Sequence, residues 1–292
     1  MSSLWLVVFG LLAGQLAFGR PSRLRRRPMP ADTPVTVVIP ARNEALTLPL
    51  LLADLAADPS AGDARIVVVD DESTDATPDL ARAAGAEVLQ PGPPPPGWCG
   101  KPWAAAAGAG VVDRGVVAFL DADVRLGAGA LGAITAAAVD HGGLVSVQPR
   151  HDTGSVAESA SAVCNVVTVM GAGAGWAHPT GAFGPVLAST IDDYRQVGGH
   201  ASVRGEVTED LALGRRYLDA GLPLRVHVGG AGVRFRMYPA GFRSLIEGWT
   251  KNLATGAGST PLAPLLLTVC WVSALCSTWL WSLGWALGDR SR

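Results

Sequence analysis

Apolar and polar positions along this chain come in blocks, and the blocks predict its elements. "VTVVIPA" (35–41) is a short apolar run closed by proline, and a helical pattern follows from about Glu44 to Leu55. "ARIVVVDD" reads as a second buried strand, followed by a helix near Pro78 to Ala84 and a third short strand in "AEVLQ". The run "PGPPPPG" from Pro91 to Gly97 predicts a stiff, extended loop, because proline lacks the donor that a helix or sheet needs. A helix over about Lys101 to Val112 leads into "VVAFLDADV", and "GLVSVQP" comes after one more helix. Apolar strands alternating with helices predict an α/β fold with a doubly wound, mainly parallel sheet and flanking helices. From Gly142 to Gly258 the pattern is less regular. A long apolar helix (Val156 to Met170) runs into "GAGAGW", where a helix and no strand precedes the glycines. That context argues against a dinucleotide fingerprint and for close packing or a flexible lip.

Both ends of the chain are apolar without alternation. Ser3 to Gly19 carries no charge over a length at the lower limit for crossing a bilayer, and "RPSRLRRRP" follows directly. A signal peptide carries its positive charge before the apolar stretch, so this order predicts a retained anchor with the arginines on the cytoplasmic side. Pro261 to Gly288 is also apolar and uncharged, and its Trp271, Trp279, Trp281 and Trp285 suit interfacial anchoring. Buried core helices are the alternative for both segments. Two spans would place residues 20–260 in the cytoplasm. Between them "VRFRMYPAGFRSLIEGWTKNLATGAG" mixes cations with aromatics, as an amphipathic helix on a membrane surface does. The expected order is an anchor (1–19), a basic juxtamembrane linker (20–33), two halves of one α/β domain (34–150 and 151–238), an interfacial helix (239–260) and a second span (261–288).

Composition adds little to this picture and removes some options. Of 292 residues 49% are hydrophobic and 16% charged, between the values of soluble domains and polytopic membrane proteins. A net charge of -2 gives no indication of nucleic acid. The four cysteines lie without metal-ligand spacing or a disulfide framework.

The chemistry sits at strand ends. "VVVDD" closes on Asp70 and Asp71, "VAFLDAD" on Asp121 and Asp123, and "VVIPARNE" near Arg42, Asn43 and Glu44. Ligands of open α/β sheets bind beyond the carboxyl ends of the strands, so three such ends read as one site. Asp-x-Asp there suits Mg²⁺ or Mn²⁺, a cation that neutralises a diphosphate leaving group. In "VVVDDESTDAT" the polar residues serve as helix caps or face a nucleotide, and both roles are compatible. Lys101 at a helix start opposes the helix dipole unless an anion such as phosphate is near. Glu209 and Asp210 open another helical pattern, either complementing its dipole or supplying a general base.

These motifs, in this order, resemble glycosyltransferase family 2, of GT-A fold. "VVIPARNEA", "VVVDDESTDAT", "FLDADV" and "TEDLALG" carry the likeness. Within the family, "GWCGKPWA", "LVSVQPRH", "AFGPVLAST", "DDYRQVGGH" and "FRMYPAGFRSLIEGWTKNLATGAG" are similar to the 4,4'-diaponeurosporenoate glycosyltransferase group, which makes carotenoid glucosyl esters. Hopanoid-associated transferases share several of these phrases. The resemblance implies that Pro40, Glu44 and Asp71 contact the uridine of a UDP-sugar and that Lys101 approaches its diphosphate. Asp121 and Asp123 would then complete the metal site, and Glu209 or Asp210 the catalytic base. It also implies that 34–150 is the nucleotide-sugar-binding half and 151–238 the acceptor-side half, with inverting transfer to a lipid acceptor on the cytoplasmic face of the cell membrane. Two departures stand out: Asp-Glu-Ser at 71–73 replaces the usual Asp-Gly-Ser, and the Gln-x-x-Arg-Trp box of processive members is absent. The second favours a single transfer. A non-catalytic nucleotide-binding protein is the competing reading, and a nicotinamide oxidoreductase is disfavoured because no Gly-x-Gly-x-x-Gly follows the first strand.

Overall fold

Valine-rich runs with no polar face must be covered on both sides, and the computed structural model of the chain covers them with helices. It describes residues 2–286 apart from Arg26, Ala177, Val207 and the stretches 237–245, 247–248 and 251–259. The chain starts with α1 (Ser2–Phe18) and β1 (Ser22–Arg23), then enters an alternating run. That run is β2 (Val35–Ala41), α2 (Leu48–Ala57), β3 (Arg65–Asp70), α3 (Thr77–Ala83), β4 (Glu87–Leu89), α4 (Gly100–Gly110) and β5 (Val116–Leu120). Next come β6 (Val124–Leu126), α5 (Ala130–His141), β7 (Leu144–Gln148), β8 (Arg150–His151) and α6 (Val156–Gly171). The last group is β9 (Val186–Thr190), α7 (Ile191–Gln196), α8 (Glu209–Asp219), β10 (Leu224–Val228), β11 (Val233–Phe235) and α9 (Leu262–Ala286).

One sheet of eight strands runs β1-β10-β7-β9-β5-β2-β3-β4, and β6-β11-β8 form a small second sheet. Among the described strands of the large sheet, only β9 is antiparallel to its neighbours. The strand period of two divides the core. Val37, Ile39, Val116, Ala118 and Leu120 face Leu48, Leu51 and Ile134 of α2 and α5. Val38, Val117 and Phe119 face Ala104 and Ala105 of α4 and Leu213 and Tyr217 of α8 on the other side. Each fully buried leucine or valine here contributes about 1.5–3 kcal/mol.

The alternating half matches the expected pattern, with shifted boundaries. The first sheet helix begins at Leu48 and not Glu44, because residues 42–47 form a loop in which Asn43 takes φ 57°. "VVAFLDADV" is two elements: β5 stops at Leu120, and β6 starts at Val124 in the other sheet. Strands β9, β10 and β11 had no clear sequence signal. The basic segment 20–33 is no free linker. Its β1 joins the sheet edge beside β10, Leu24 and Met29 pack on the core, and Arg27 pairs with Asp140.

At the ends, α9 is long and apolar enough to cross a membrane over Leu262–Leu280; no other helix among the described residues is. The expected N-terminal span is an apolar helix, α1, that falls short of that length. It packs along α9, where Cβ atoms added at Gly10 and Gly14 would lie 2.0 Å from Ala274 Cβ and 2.3 Å from the Trp271 ring. Most of the expected interfacial helix (239–260) lies outside the described residues.

Candidate active site

β5, β2 and β3 are neighbours, so their carboxyl ends share one rim. Pro40 sits near the end of β2, beyond Val38, the last β2 residue that β5 pairs with. The loop after β2 is laced to the turn after β3. The Asn43 N–H donates to Ser73 Oγ (3.0 Å), the Glu44 N–H to Thr77 Oγ1 (2.8 Å) and the Ala45 N–H to Asp75 Oδ2 (3.2 Å). In return the Thr74 N–H donates to Asn43 Oδ1 (2.8 Å). The Thr77 hydroxyl and backbone bonds hold the Asp75 carboxyl below its usual range despite partial desolvation.

The adjacent acids at the carboxyl end of β3, Asp70 within it and Asp71 just beyond, divide their work. Asp70 is buried; its carboxylate accepts from the Ser73 N–H (3.2 Å) and from Gln90 Nε2 (2.8 Å), which fixes the turn. Asp71 projects into the rim. Its Oδ1 is buried without a hydrogen-bond partner, and its Oδ2 lies 3.8 Å from Arg42 Nη1. A buried acceptor without a donor is costly, and one at a strand end is poised for an incoming N–H or O–H. The start of α4 presses on this carboxylate so closely that a Cβ at Gly100 would stand 2.3 Å from Asp71 Oδ2. Glu72, the residue in the middle of the Asp-Glu-Ser turn, takes the left-handed shape with φ 58°.

Lys101, one residue further, meets protein anions: its Nζ is 2.7 Å from Asp121 Oδ1 and 3.7 Å from Glu209 Oε1. Desolvation works against the ammonium, but Asp121, Glu209 and Asp210 outweigh it and raise its pKa. Behind it, buried His200 shares a 2.8 Å hydrogen bond between Nδ1 and the Tyr194 hydroxyl and packs edge-on against Phe119. Burial, reinforced by Lys101, pushes the His200 pKa down to about 3, so the imidazole is neutral.

Asp121 and Asp123 occupy the turn between β5 and β6, closed by the Val124 N–H on the Asp121 carbonyl (3.1 Å). Burial, then Asp121 and Glu44, push the Asp123 carboxyl up to about 7. Lys101 offsets part of this negative charge, and a divalent cation would offset the rest. Among the described residues no set of three or more metal-ligating side chains gathers. Mg²⁺ and Mn²⁺ need no such set, since one or two carboxylates plus substrate phosphates and water suffice.

Glu209 and Asp210 open α8 but face different partners. Asp210 Oδ2 accepts the Gly184 N–H (2.8 Å) and Oδ1 the Leu211 N–H (2.9 Å), whereas Glu209 faces Lys101. Burial raises both carboxyls, against the pull of Lys101. The eight residues given site roles thus come from strand ends, the loops just after them and helix starts. What the sequence concealed was the support: Gly100, Gly184, the Tyr194–His200 pair and the bracing role of Asp70. A glycine directly before a helix-start lysine was the one available hint.

The family model for glycosyl transferase family 2 matches residues 36–162. The 4,4'-diaponeurosporenoate glycosyltransferase of Staphylococcus haemolyticus is 36% identical over 275 residues, 90% of this chain and 73% of that one. The enzyme of the same name from Staphylococcus aureus strain MRSA252 is 36% identical over 277 residues, 91% and 73%. Among solved structures, the mannosyltransferase PcManGT of Pyrobaculum calidifontis, in complex with GDP-Man and Mn²⁺, superposes with a TM-score of 0.59. It is 18% identical, and the match covers 99% of this chain and 92% of that one. Glucosyl-3-phosphoglycerate synthase of Mycobacterium tuberculosis, with Mn²⁺, UDP and phosphoglyceric acid, superposes at 0.55, with 18% identity over 82% and 86%. These likenesses show a GT-A-like fold.

Proposed function

The chain belongs to glycosyl transferase family 2 and is a glycosyltransferase, and from that premise we propose that it moves one sugar, glucose from UDP-glucose, to a carotenoid carboxylic acid at a membrane surface. The observation that carries the reading is the crowding of Asp71, Lys101, Asp121, Asp123, Glu209 and Asp210 on one rim. The names of the staphylococcal relatives support the acceptor, and the UDP and Mn²⁺ of the mycobacterial synthase support the donor and metal.

Asp71 Oδ1 accepts from the uracil N–H, which gives that buried oxygen its missing donor. Pro40 and Glu44 flank the same base. Asp121 and Asp123 would hold Mg²⁺ or Mn²⁺, whose chemistry is to take up negative charge as the diphosphate departs. Lys101 adds its own ammonium beside Asp121. The acceptor oxygen attacks the anomeric carbon from the face opposite the leaving group; one C–O bond forms, the bond to UDP breaks, and configuration inverts. We assign the base role for an alcohol acceptor to Asp210, whose carboxylate is fixed by two backbone N–H groups. A carboxylic acid acceptor needs no base, since such groups titrate near pH ~4. Lys101 then offsets the repulsion between its carboxylate and Glu209.

The membrane setting is supported by the α1–α9 pair. Trp5, Phe9, Leu11, Leu12 and Leu16 on α1, and Leu266, Val269 and Trp279 on α9, are apolar side chains left exposed. Close approach through Gly10 and Gly14 follows the small-residue packing of membrane helices. With arginines directly after α1, the catalytic domain faces the cytoplasm.

The test uses membranes carrying the full chain, labelled UDP-glucose, Mn²⁺ and 4,4'-diaponeurosporenoate. The expected product is an alkali-labile glucosyl ester, and D121A/D123A or excess chelator abolishes it. Undiminished turnover under either condition overturns the metal assignment; transfer only to a hydroxyl lipid overturns the acceptor. With an alcohol acceptor, D210N is expected to lose about 10²–10⁴ in rate, and far less with the acid.

A further inference from the structure

Hydrogen bonds and close backbone contacts run between the end of α1 and the Asp210 carboxylate. The last carbonyls of a helix have no partner within it. Here the indole Nε1–H of Trp176 reaches the carbonyls of Leu16 (2.9 Å) and Ala17 (3.1 Å), and the Arg20 N–H donates to the Gly175 carbonyl (2.9 Å). The backbones touch: a Cβ at Gly175 would lie 1.9 Å from the Phe18 carbonyl oxygen, and one at Gly19 2.4 Å from the Gly175 oxygen.

From this junction the chain leads straight to the site. The Thr180 N–H returns to the Ala172 carbonyl (3.0 Å). Ala182 is fully buried against the α8 side, with a Cβ at Gly214 only 2.8 Å from its nitrogen. Ser146 of β7 clamps Phe183 twice, accepting its N–H (2.6 Å) and donating to its carbonyl (3.0 Å). The next N–H, of Gly184, holds Asp210 Oδ2 at 2.8 Å. We infer that residues 171–176 and 178–184 act as a strap that sets the Asp210 carboxylate from the end of α1, which makes Trp176 a positioning residue for the reaction. The inference rests on the assignment of Asp210 made above. The chemistry is specific to the indole N–H, because a ring without it leaves two helix-end carbonyls unpaired while keeping most of the bulk.

The experiment is W176F in the full-length, detergent-solubilised chain, read first by amide hydrogen exchange. Exchange of the Gly184 N–H is expected to rise about five- to tenfold, the scale of one lost hydrogen bond, with the amides of β2 and β5 unchanged. G19A presses the same junction from the α1 side and serves if W176F does not fold. Unchanged exchange at Gly184, or acceleration spread equally over β2 and β5, overturns the strap.

The second reading is turnover with UDP-glucose and 4,4'-diaponeurosporenoate or an alcohol acceptor. W176F should lower kcat about tenfold on the alcohol while KM for UDP-glucose stays within about twofold, and it should add almost nothing in a D210N background. Equal losses in both backgrounds overturn the role of Trp176. Wild-type protein that turns over neither acceptor defeats the functional reading instead, and the exchange result still decides the strap.

Discussion

Glu72 takes the left-handed conformation at φ 58°, immediately after the carboxylate assigned to the base of the nucleotide. A side chain there costs roughly 1–2 kcal/mol relative to ordinary backbone, part of which glycine returns as chain entropy. E72G is therefore expected to leave activity unchanged and to raise stability by up to about 1 kcal/mol, measured by urea unfolding. Gly100 presents the opposite case. Its missing Cβ is what lets α4 lie against Asp71, so G100A should displace the carboxylate and weaken UDP binding about tenfold, equal to ~1.4 kcal/mol. Calorimetric titration with UDP reads this directly, and a Kd within twofold of wild type would show that Asp71 does not hold the base.

At the scale of elements, the loop after β2 and the turn after β3 act as one body because Asn43, Ser73, Thr74, Asp75 and Thr77 bond across them. N43A removes an acceptor and the residue type best suited to φ 57°. A loss of about 1–2 kcal/mol is expected in chemical unfolding, with a raised KM for the sugar nucleotide. The start of α6 is held by Glu158, which accepts from Arg236 Nε (2.9 Å) and the Gly154 N–H (2.8 Å). The Arg236 hydrogen bond is the main reason that its pKa falls from 4.5 to about 2. A depressed folded-state pKa contributes stability above the unfolded value and loses it as pH falls through the folded one. The melting temperatures of wild type and E158Q should thus differ most above pH 4.5 and converge towards pH 2.

On the scale of the whole molecule, the chain is a catalytic domain tied to α1 in two places, the 20–33 segment and the Trp176 junction, and α1 in turn packs on α9. G14I places a branched side chain where Trp271 now lies. Overpacking of this kind costs about 1–3 kcal/mol, so a lower thermal midpoint in detergent is expected, with UDP binding intact. Loss of UDP binding in the same variant would show that the helix pair supports the nucleotide half as well.

The chain's own pattern was enough to reveal the alternating strands, the three acidic strand ends and the helix starts at Lys101 and Glu209, because each is set by neighbours within a few residues. Local signals also carried the apolar ends and the arginines beside α1. Hidden from any local reading were the antiparallel β9, the split of "VVAFLDADV" into two sheets and the edge pairing of β1. These depend on partners far away in sequence, and a five-residue apolar run is equally content beside several of them. The same holds for the acids. Asp70 and Asp71 are identical as letters, as are the carboxylates of Glu209 and Asp210 in chemistry. Only packing decided that Asp70 braces a turn and Asp71 meets the cleft, or that Asp210 is gripped by Gly184 while Glu209 faces Lys101. Burial and hydrogen-bond partners assign such roles, and both are properties of the folded whole.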